Sequence, residues 1–173
     1  MIFQKNNNKK FKIFFKVANK FINLLRMIYN YIIINNSILS IQSIGEGNKF
    51  DYNITIHRPE KLRIGNDNFF GQNTYLIANG GIEIGNKCAI AADCKLVTRN
   101  HTYKDKNIPI NDQPHTHKSI TIEDDCWLGY NVIILPGVTL GKGCIVAAGS
   151  IVTKSFPSYS IIAGVPANII RKR

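Results

Sequence analysis

Aliphatic or aromatic side chains recur at every sixth position over most of the chain. The spacing forms five sets of three: Ile44, Phe50, Ile56; Ile64, Phe70, Leu76; Ile84, Ile90, Leu96; Ile122, Leu128, Ile134; and Leu140, Val146, Val152. Six is not a helical period, but it is three times the two-residue period of a strand. We therefore expect a solenoid with three short strands per coil, in which each sixth side chain points inward and stacks on its equivalent one coil away.

Small residues support the solenoid over a β-sandwich. Glycine or alanine follows many of the repeat positions, as at Gly65, Gly85 and Ala91, where tight corners are required. A sandwich also has short strands, but it does not predict that the spacing of six is maintained over five sets. The pattern therefore favours about five coils.

Residues 9–29 have a different, helical period. Their apolar side chains fall on one face and their lysines elsewhere. Two interpretations remain open: the face docks on the rest of the protein, which we favour, or it lies in a membrane interface. We expect an amphipathic helical segment over 1–43, which covers one end of the solenoid, and a solenoid domain over 44–173 with an extended loop at 97–121. The C-terminal tail "SIIAGVPANIIRKR" is expected to close the other end.

Positive charge is concentrated at the two ends of the chain. The net charge is +11, of which +7 precedes the first acidic residue, Glu46, and +3 comes from the last three residues. A nucleic-acid-binding protein usually carries its basic stripe across the folded body, so we expect no nucleic-acid partner. A basic end fits an anionic ligand or an anionic membrane surface.

The sequence also predicts the compartment. The four cysteines show no CxxC pair and no zinc-type spacing, so we expect reduced, buried thiols. No signal peptide and no run of about 18 apolar residues is found. We expect a cytoplasmic protein, with peripheral attachment at the inner face of the membrane if the helix binds lipid.

The C-terminal third carries a family resemblance. The stretch "CWLGYNVIILPGVTLGKGCIVAAGSIVTKSFPSYSIIAGVPANII" resembles the signature end of the hexapeptide-repeat acyltransferases, in the maltose/galactoside and polysaccharide O-acetyltransferase branch. The resemblance covers residues 44–173. It implies an all-β, left-handed parallel β-helix that forms homotrimers, with acetyl-CoA in the groove between neighbouring subunits and no metal.

One long break interrupts the repeat, between Leu96 and Ile122. Interruptions of a solenoid carry functional loops. A histidine opens this loop in the resembled family, and His101 stands at that position here. Further likeness to the polysaccharide branch lies along the loop and predicts acceptor contacts at Tyr103, Asp105 and Gln113.

The chemistry of acyl transfer accounts for a histidine at that place. A sugar hydroxyl attacks a thioester poorly until a base removes its proton, and neutral imidazole is available near pH 7. We therefore expect His101 to act as the general base, with backbone N–H groups holding the oxyanion. Asn79, in "LIANGGIEIG", resembles an acceptor contact, although an Asn-Gly-Gly corner explains it equally well.

The resemblance also implies the residues that bind acetyl-CoA. These are Trp127, Ala148, Thr153, Lys154 and Arg171. Lys154 and the three C-terminal cations suit the CoA phosphates on charge alone. Two positions depart from the family: Asn168 replaces a frequent Lys or Arg, and Tyr130 replaces a small residue, which puts a side-chain oxyanion donor there in doubt.

Other functional classes remain alternatives. A γ-type carbonic anhydrase shares the solenoid and binds zinc through three histidines, so His101, His115 and His117 form a candidate set. A non-catalytic solenoid needs no His101, Trp127 or Lys154. Among enzymes, the alternative is an N-acetyltransferase of an amino-sugar nucleotide. The sequence favours an acetyl-CoA-dependent O-acetyltransferase with a carbohydrate acceptor, a surface polysaccharide or its precursor.

Overall fold

A computed structural model describes residues 9–173. Helix α1 spans Lys9–Leu39 and is followed by short strands and two single-turn 3₁₀ helices, Pro59–Lys61 and Ile110–Asp112. The strands are β1 (Ser43–Ile44), β2 (Lys49–Phe50), β3 (Thr55–His57), β4 (Leu62–Ile64), β5 (Phe69–Phe70), β6 (Tyr75–Ile77), β7 (Ile82–Ile84), β8 (Ala89–Ile90), β9 (Lys95–Val97), β10 (Arg99–His101), β11 (His115–His117), β12 (Ile120–Ile122), β13 (Trp127–Leu128), β14 (Ile133–Ile134), β15 (Thr139–Leu140), β16 (Ile145–Val146), β17 (Ile151–Val152), β18 (Ser160–Gly164) and β19 (Ala167–Lys172).

Consecutive strands of the solenoid enter three different sheets in turn. Sheet A has the order β1-β4-β7-β12-β15, sheet B the order β2-β5-β8-β13-β16-β18-β19, and sheet C the order β3-β6-β9-β14-β17. The pairs are parallel except for the closing hairpin β18–β19. Five coils therefore contribute to all three sheets, and Phe156 with β18 begins a sixth. The predicted parallel solenoid is confirmed.

The strand register stacks the predicted inward side chains. Phe50 lies beside Phe70 in the next coil with the rings 4.7 Å apart and nearly parallel. Leu76, Leu96 and Leu128 are fully buried. The stack in sheet B also contains Ile162, which the spacing of six did not predict because ten residues separate it from Val152.

The corners use residues that tolerate a left-handed backbone. Asp67, Asn73, Asp93, Asp125 and Asn131 all have φ between 54° and 62°, a region where aspartate and asparagine are enriched. Gly129 serves a different need, because a Cβ there would lie 2.6 Å from the backbone N of Ala148 one coil away. The coils therefore pack closely enough to exclude side chains at such points.

The four cysteines are buried free thiols, as predicted. Cys88, Cys126 and Cys144 precede paired strands of sheet B and so occupy one stack. Burial raises the pKa of the Cys94 thiol to about 11, which keeps it protonated near neutral pH. These side chains serve as small core residues.

Helix α1 is longer than predicted and docks less. It continues ten residues beyond 29, and only its end meets the solenoid, where Ile38 and the following Ile41 pack on the core. Phe14 is 65% exposed and Phe21 60% exposed, so the favoured docking of the apolar face on the same chain is wrong. The end coil offers apolar contact to only one turn. Within residues 9–173, no helix combines the length and apolarity that a bilayer crossing requires.

Neighbouring phenylalanines on β5 provide a test of the inward stack. Phe70 is fully buried and Phe69 is 45% exposed on the outer face. We expect Phe70→Ala to lower the free energy of unfolding by about 3–5 kcal/mol through loss of burial and cavity formation. Phe69→Ala, the matched control, should cost about 0.5 kcal/mol or less. Denaturant unfolding at one protein concentration measures both, and equal losses would contradict the assigned register.

Candidate active site

The long excursion leaves the column between β9 and β12 as a two-stranded stem. Strands β10 and β11 pair antiparallel, with His101 opposite His115 and Arg99 opposite His117. Buried Thr98 fixes the base of the stem: its hydroxyl donates to the Ile77 carbonyl at 2.6 Å and accepts from the Gly80 N–H at 2.8 Å. The stem is thereby attached to the coil beneath it.

Two histidines and an arginine meet on this stem. The Nε2 atoms of His101 and His115 lie 3.3 Å apart, and Nη2 of Arg99 lies 2.6 Å from Nε2 of His115. Guanidinium only donates hydrogen bonds, so Nε2 of His115 accepts and its proton resides on Nδ1. Partial burial, followed by the positive charge of Arg99, lowers the pKa of His115. His101 therefore faces a neutral imidazole.

An open cleft of about 390 Å³ lies beside His101. Its floor is the outer face of sheet C, where His57 and Tyr75 are hydrogen-bonded at 2.9 Å between Nε2 and the phenol oxygen. Ile77 and Val97 add apolar surface, and Asn79 stands at the rim. The cleft combines hydrogen-bonding groups with aromatic and aliphatic surface, as a site for a polar small molecule does.

Asn79 also belongs to a tight corner. It borders a second cleft of about 340 Å³ that includes His117, Lys61 and Glu83. The following Gly80 has no room for a side chain, because a Cβ would lie 2.8 Å from the backbone N of Lys118 at the end of the excursion. The close packing explains the glycine at position 80, and Asn79 itself lines both clefts.

The three predicted loop contacts have different surroundings. Gln113 is buried and donates both of its amide hydrogens within the loop, to the carbonyls of Asp105 and Ile108, each at 2.8 Å. The Asp105 carboxylate accepts from the Asn107 N–H at 2.9 Å. Tyr103 is 69% exposed. Gln113 thus shapes the loop, and Tyr103 is the member of the three that is free to meet a ligand.

The predicted donor-side residues occupy another part of the column. Trp127 points outward from sheet B and is 53% exposed. The same outer row contains Ile145 and Ile161, and Arg171 lies next in that row on β19. This row forms an apolar strip that ends in a cation.

Ala148, Thr153 and Lys154 lie at corners of the last coils. All three are exposed; Ala148 lies in the turn before β17, and Thr153 and Lys154 directly follow β17 in sheet C. The Lys154 ammonium donates to Oδ1 of Asn168 at 2.9 Å, so the residue that departs from the family pattern contacts a predicted binding residue. His101 follows sheet C two coils earlier, whereas Trp127 lies on sheet B. One chain therefore does not bring Trp127 and His101 together.

The C-terminal cations are not equivalent. The Lys172 ammonium donates to the Ser158 carbonyl at 3.0 Å and to the Ser160 hydroxyl at 3.2 Å. Arg173 forms an ion pair with Asp125 at 2.8 Å. Arg171 remains as the cation best placed to meet an anionic ligand on the outer face.

The histidines do not assemble as a metal set within one chain. His101 and His115 converge, but His117 lines the neighbouring cleft. Over residues 9–173, no cluster of three His, Cys, Asp or Glu side chains has a geometry suited to a metal ion.

Arg99 and His57 were missed in the sequence analysis, and His115 was named only as a candidate zinc ligand. Arg99 and His101 are two residues apart on one strand and so share a face. His57, Ile77 and Val97 are spaced by 20 and stack in sheet C. Extending the 20-residue coil spacing to outward-facing positions would have identified His57. The contact between His115 and His101 could be recognised only from the pairing of β10 with β11.

Comparison with known proteins shows that the chain is similar to hexapeptide-repeat proteins named as acetyltransferases. The family described as "Hexapeptide repeat of succinyl-transferase" matches residues 61–94 and 119–154. The putative colanic acid biosynthesis acetyltransferase WcaF of Escherichia coli (strain K12) is 36% identical over 120 residues, which are 69% of this chain and 63% of WcaF. The chain spans between 36% and 63% of the length of the first three curated relatives.

The chain is also similar to solved structures of proteins with this fold. The hexapeptide-repeat acetyltransferase VCA0836 from Vibrio cholerae is 27% identical with a TM-score of 0.74, covering 83% of this chain and 80% of that one. Its complex with acetyl-CoA superposes with a TM-score of 0.67 over 79% of this chain and 73% of that one. A galactoside acetyltransferase in complex with CoA is 28% identical with a TM-score of 0.67, covering 79% and 67%.

The contact between Arg99 and His115 predicts a measurable titration. We expect the pKa of His115 to lie below the ordinary value of about 6.5 and to rise in Arg99→Ala, because a cation that disfavours the protonated ring is removed. NMR titration of the ring protons measures this. Arg63→Ala is the control, since Arg63 pairs with Glu83 on sheet A. An unchanged His115 pKa in the Arg99 variant would contradict the assigned hydrogen bond.

Proposed function

Because the chain belongs to the hexapeptide-repeat acyltransferase family, we propose that it transfers acetyl from acetyl-CoA to a sugar hydroxyl of a surface polysaccharide or its precursor. The observation that carries the proposal is the position of His101. The only long excursion of the repeat holds this imidazole at the side of a polar, aromatic cleft. The acetyl-CoA and CoA complexes of the structural relatives support the donor.

His101 serves as the general base. Its Nε2 lies 3.3 Å from the unprotonated Nε2 of His115 and donates to it, which leaves the other ring nitrogen of a neutral His101 free to accept a proton. The unprotonated ring nitrogen accepts the hydroxyl proton as the oxygen forms a bond to the acetyl carbonyl carbon. The C–S bond then breaks, and the proton passes from His101 to the departing CoA thiolate. Backbone N–H groups hold the negative charge that develops on the carbonyl oxygen.

The cleft on sheet C suits a sugar. Tyr75 and His57 present hydrogen-bonding atoms on the floor, Asn79 lines the cleft, and the exposed Tyr103 follows His101 by two residues. Aliphatic surface from Ile77 and Val97 matches the apolar faces of a sugar ring. Gln113 and Asp105 act as positioning residues, because their side chains are bonded within the loop. Arg99 and His115 position the base.

A second subunit completes the donor side. Trp127 and Arg171 lie on sheet B, whereas His101 lies at the corner that follows sheet C. A homotrimer resolves this separation, because it places the sheet B face of one column against the loop of its neighbour. Trp127 and the aliphatic row then contact the pantetheine arm, Arg171 and Lys154 meet the phosphates, and Ala148 and Thr153 line the groove.

The carbohydrate acceptor rests on two likenesses. One relative is named for colanic acid biosynthesis, and one solved relative is a galactoside acetyltransferase. A screen of free sugars, nucleotide sugars, amino-sugar nucleotides and isolated glycans for acetyl-CoA-dependent release of CoA tests the proposal. Release with hydroxyl acceptors supports O-transfer. Release confined to amino-sugar nucleotides would replace it with N-transfer, and no release with any acceptor would oppose the enzyme.

His101 and His117 form a matched pair for the catalytic test. With the best acceptor from the screen, we expect His101→Ala to reduce turnover by about 10²–10⁴-fold, because the hydroxyl loses its base. His117→Ala, from the same stem but facing the neighbouring cleft, should change turnover little. Calorimetry should show unchanged CoA affinity and light scattering an unchanged mass. Near-normal turnover in His101→Ala would remove it from the mechanism.

Arg171 and Arg173 test the donor site. Arg171→Ala should weaken CoA binding by about tenfold or more, because a charge-assisted contact to phosphate is lost. Arg173→Ala should leave the affinity nearly unchanged, because Arg173 is paired with Asp125. Titration calorimetry with CoA measures both. The reverse ranking would show that the ion pair opens to serve the ligand and that Arg171 does not.

A further inference from the structure

The described side chains of α1 separate sharply into two faces. At about 100° per residue, the apolar side chains from Phe11 to Ile32 cover an arc of about 200°. The polar side chains described between them fall in the remaining sector: Lys12, Lys16, Asn19, Lys20 and Asn23. The apolar arc is therefore continuous over six turns and wider than the stripe that a helix needs to pack on one neighbour.

Within the part of the chain that the structure describes, no residue covers this broad face. Phe11, Phe14, Phe15 and Phe21 are 49–65% exposed, and Leu24, Leu25, Ile28 and Ile32 are 48–52% exposed. At 31 residues the helix is about 46 Å long, whereas five coils rise about 25 Å. A face of this length exceeds the height of the column to which its end is attached.

A coiled coil between copies does not explain the width of the face. Phe11, Phe14, Ala18, Phe21, Leu25, Ile28 and Ile32 do follow the three-four spacing of a coiled-coil seam. However, the flanking positions that coiled coils usually fill with Glu and Lys hold Phe15, Ile22, Val17 and Leu24. Those four side chains would stay in water around a three-helix seam, whereas a planar apolar surface accommodates them.

The charge on the opposite face of the helix indicates which planar apolar surface the helix contacts. Lys12, Lys16 and Lys20 are exposed on the polar side, and no acidic residue precedes Glu46. A helix with aromatic and aliphatic residues on one side and lysines without acids on the other fits the headgroup region of an anionic bilayer. The body of the protein is nearly neutral, so this charge is specific to the helix and the chain end.

We propose that α1 lies in the interface of an anionic membrane, with the Phe-rich face among the acyl chains and Lys12, Lys16 and Lys20 among the headgroups. The helix stays in the plane of the surface and does not cross it. The solenoid is then held at the membrane through Ile38 and Ile41. This inference is independent of the transferase reaction.

Flotation of the full chain with vesicles tests the apolar face. The vesicles contain equal parts of phosphatidylcholine and phosphatidylglycerol. We expect the protein to float, and Phe14→Ser/Phe21→Ser to lower its partition coefficient by about tenfold or more, because two buried rings are lost. Asn19→Ser/Asn23→Ser, on the polar face, is the matched control and should float like the parent protein.

A second pair of variants tests the charge without altering the apolar face. Lys12→Gln/Lys16→Gln/Lys20→Gln should float less with the anionic vesicles, and the difference should shrink in high salt. Lys49→Gln/Lys87→Gln/Lys142→Gln removes the same charge from exposed positions of the solenoid and should float like the parent. Neither triple variant should change binding to pure phosphatidylcholine.

The outcomes separate the membrane from a second copy of the chain. Light scattering should give the same mass for the parent and the Phe variant. A lower mass for the Phe variant, with no flotation of the parent, would show that the face is buried between subunits and would overturn the proposal. Equal flotation of the Phe and Asn variants, or equal loss in both Lys variants, would overturn it as well.

Discussion

Hydrogen bonds between equivalent strands of successive coils are the constraint on which the rest of this protein depends. Each coil presents its backbone to the next along three sheets, so a residue and its equivalent are held about one strand spacing apart. A slip of one residue would turn every inward side chain outward. The hydrophobic repeat and the backbone ladder therefore specify the same register, and the inward stacks from Ile64 onward lie almost entirely out of water.

The rigid column fixes the position of the excursion, although the loop itself is irregular. The excursion between β9 and β12 returns to the register it left, because β12 pairs with β7 as if no residues intervened. Thr98 fixes the departure and Gly80 leaves space for the return. Gln113 then supplies the internal contacts that the loop lacks from the sheets. His101 is thus positioned by the column, by a hairpin and by its own loop in succession.

The sequence predicted the inward residues of the repeat, but not the side-chain contacts that depend on strand pairing within the excursion. Inward residues were predictable because each follows the last by six positions. Ile162 was not predicted because the last coil departs from this spacing. His101 was found through family resemblance, yet its neighbours Arg99 and His115 depend on the register of β10 against β11, which the hexapeptide period does not encode. The end of α1 was missed for a similar reason: residues 30–39 carry polar side chains that weaken the periodicity, but contact of Ile38 with the solenoid stabilises the final turn.

The division of chemistry around the column has a consequence for how such a protein can be built. A solenoid face is flat and its side chains are fixed, so it can offer a long, even surface such as the row from Trp127 to Arg171, which we propose receives the flexible arm of CoA. Residues can be inserted at a corner without breaking a sheet, and His101, the proposed general base, lies on such an insertion. One column cannot turn its own corner onto its own distant face. Contact between columns is therefore the simplest way to join the two, and it leaves α1, attached beyond the first coil, free to face something other than the active site.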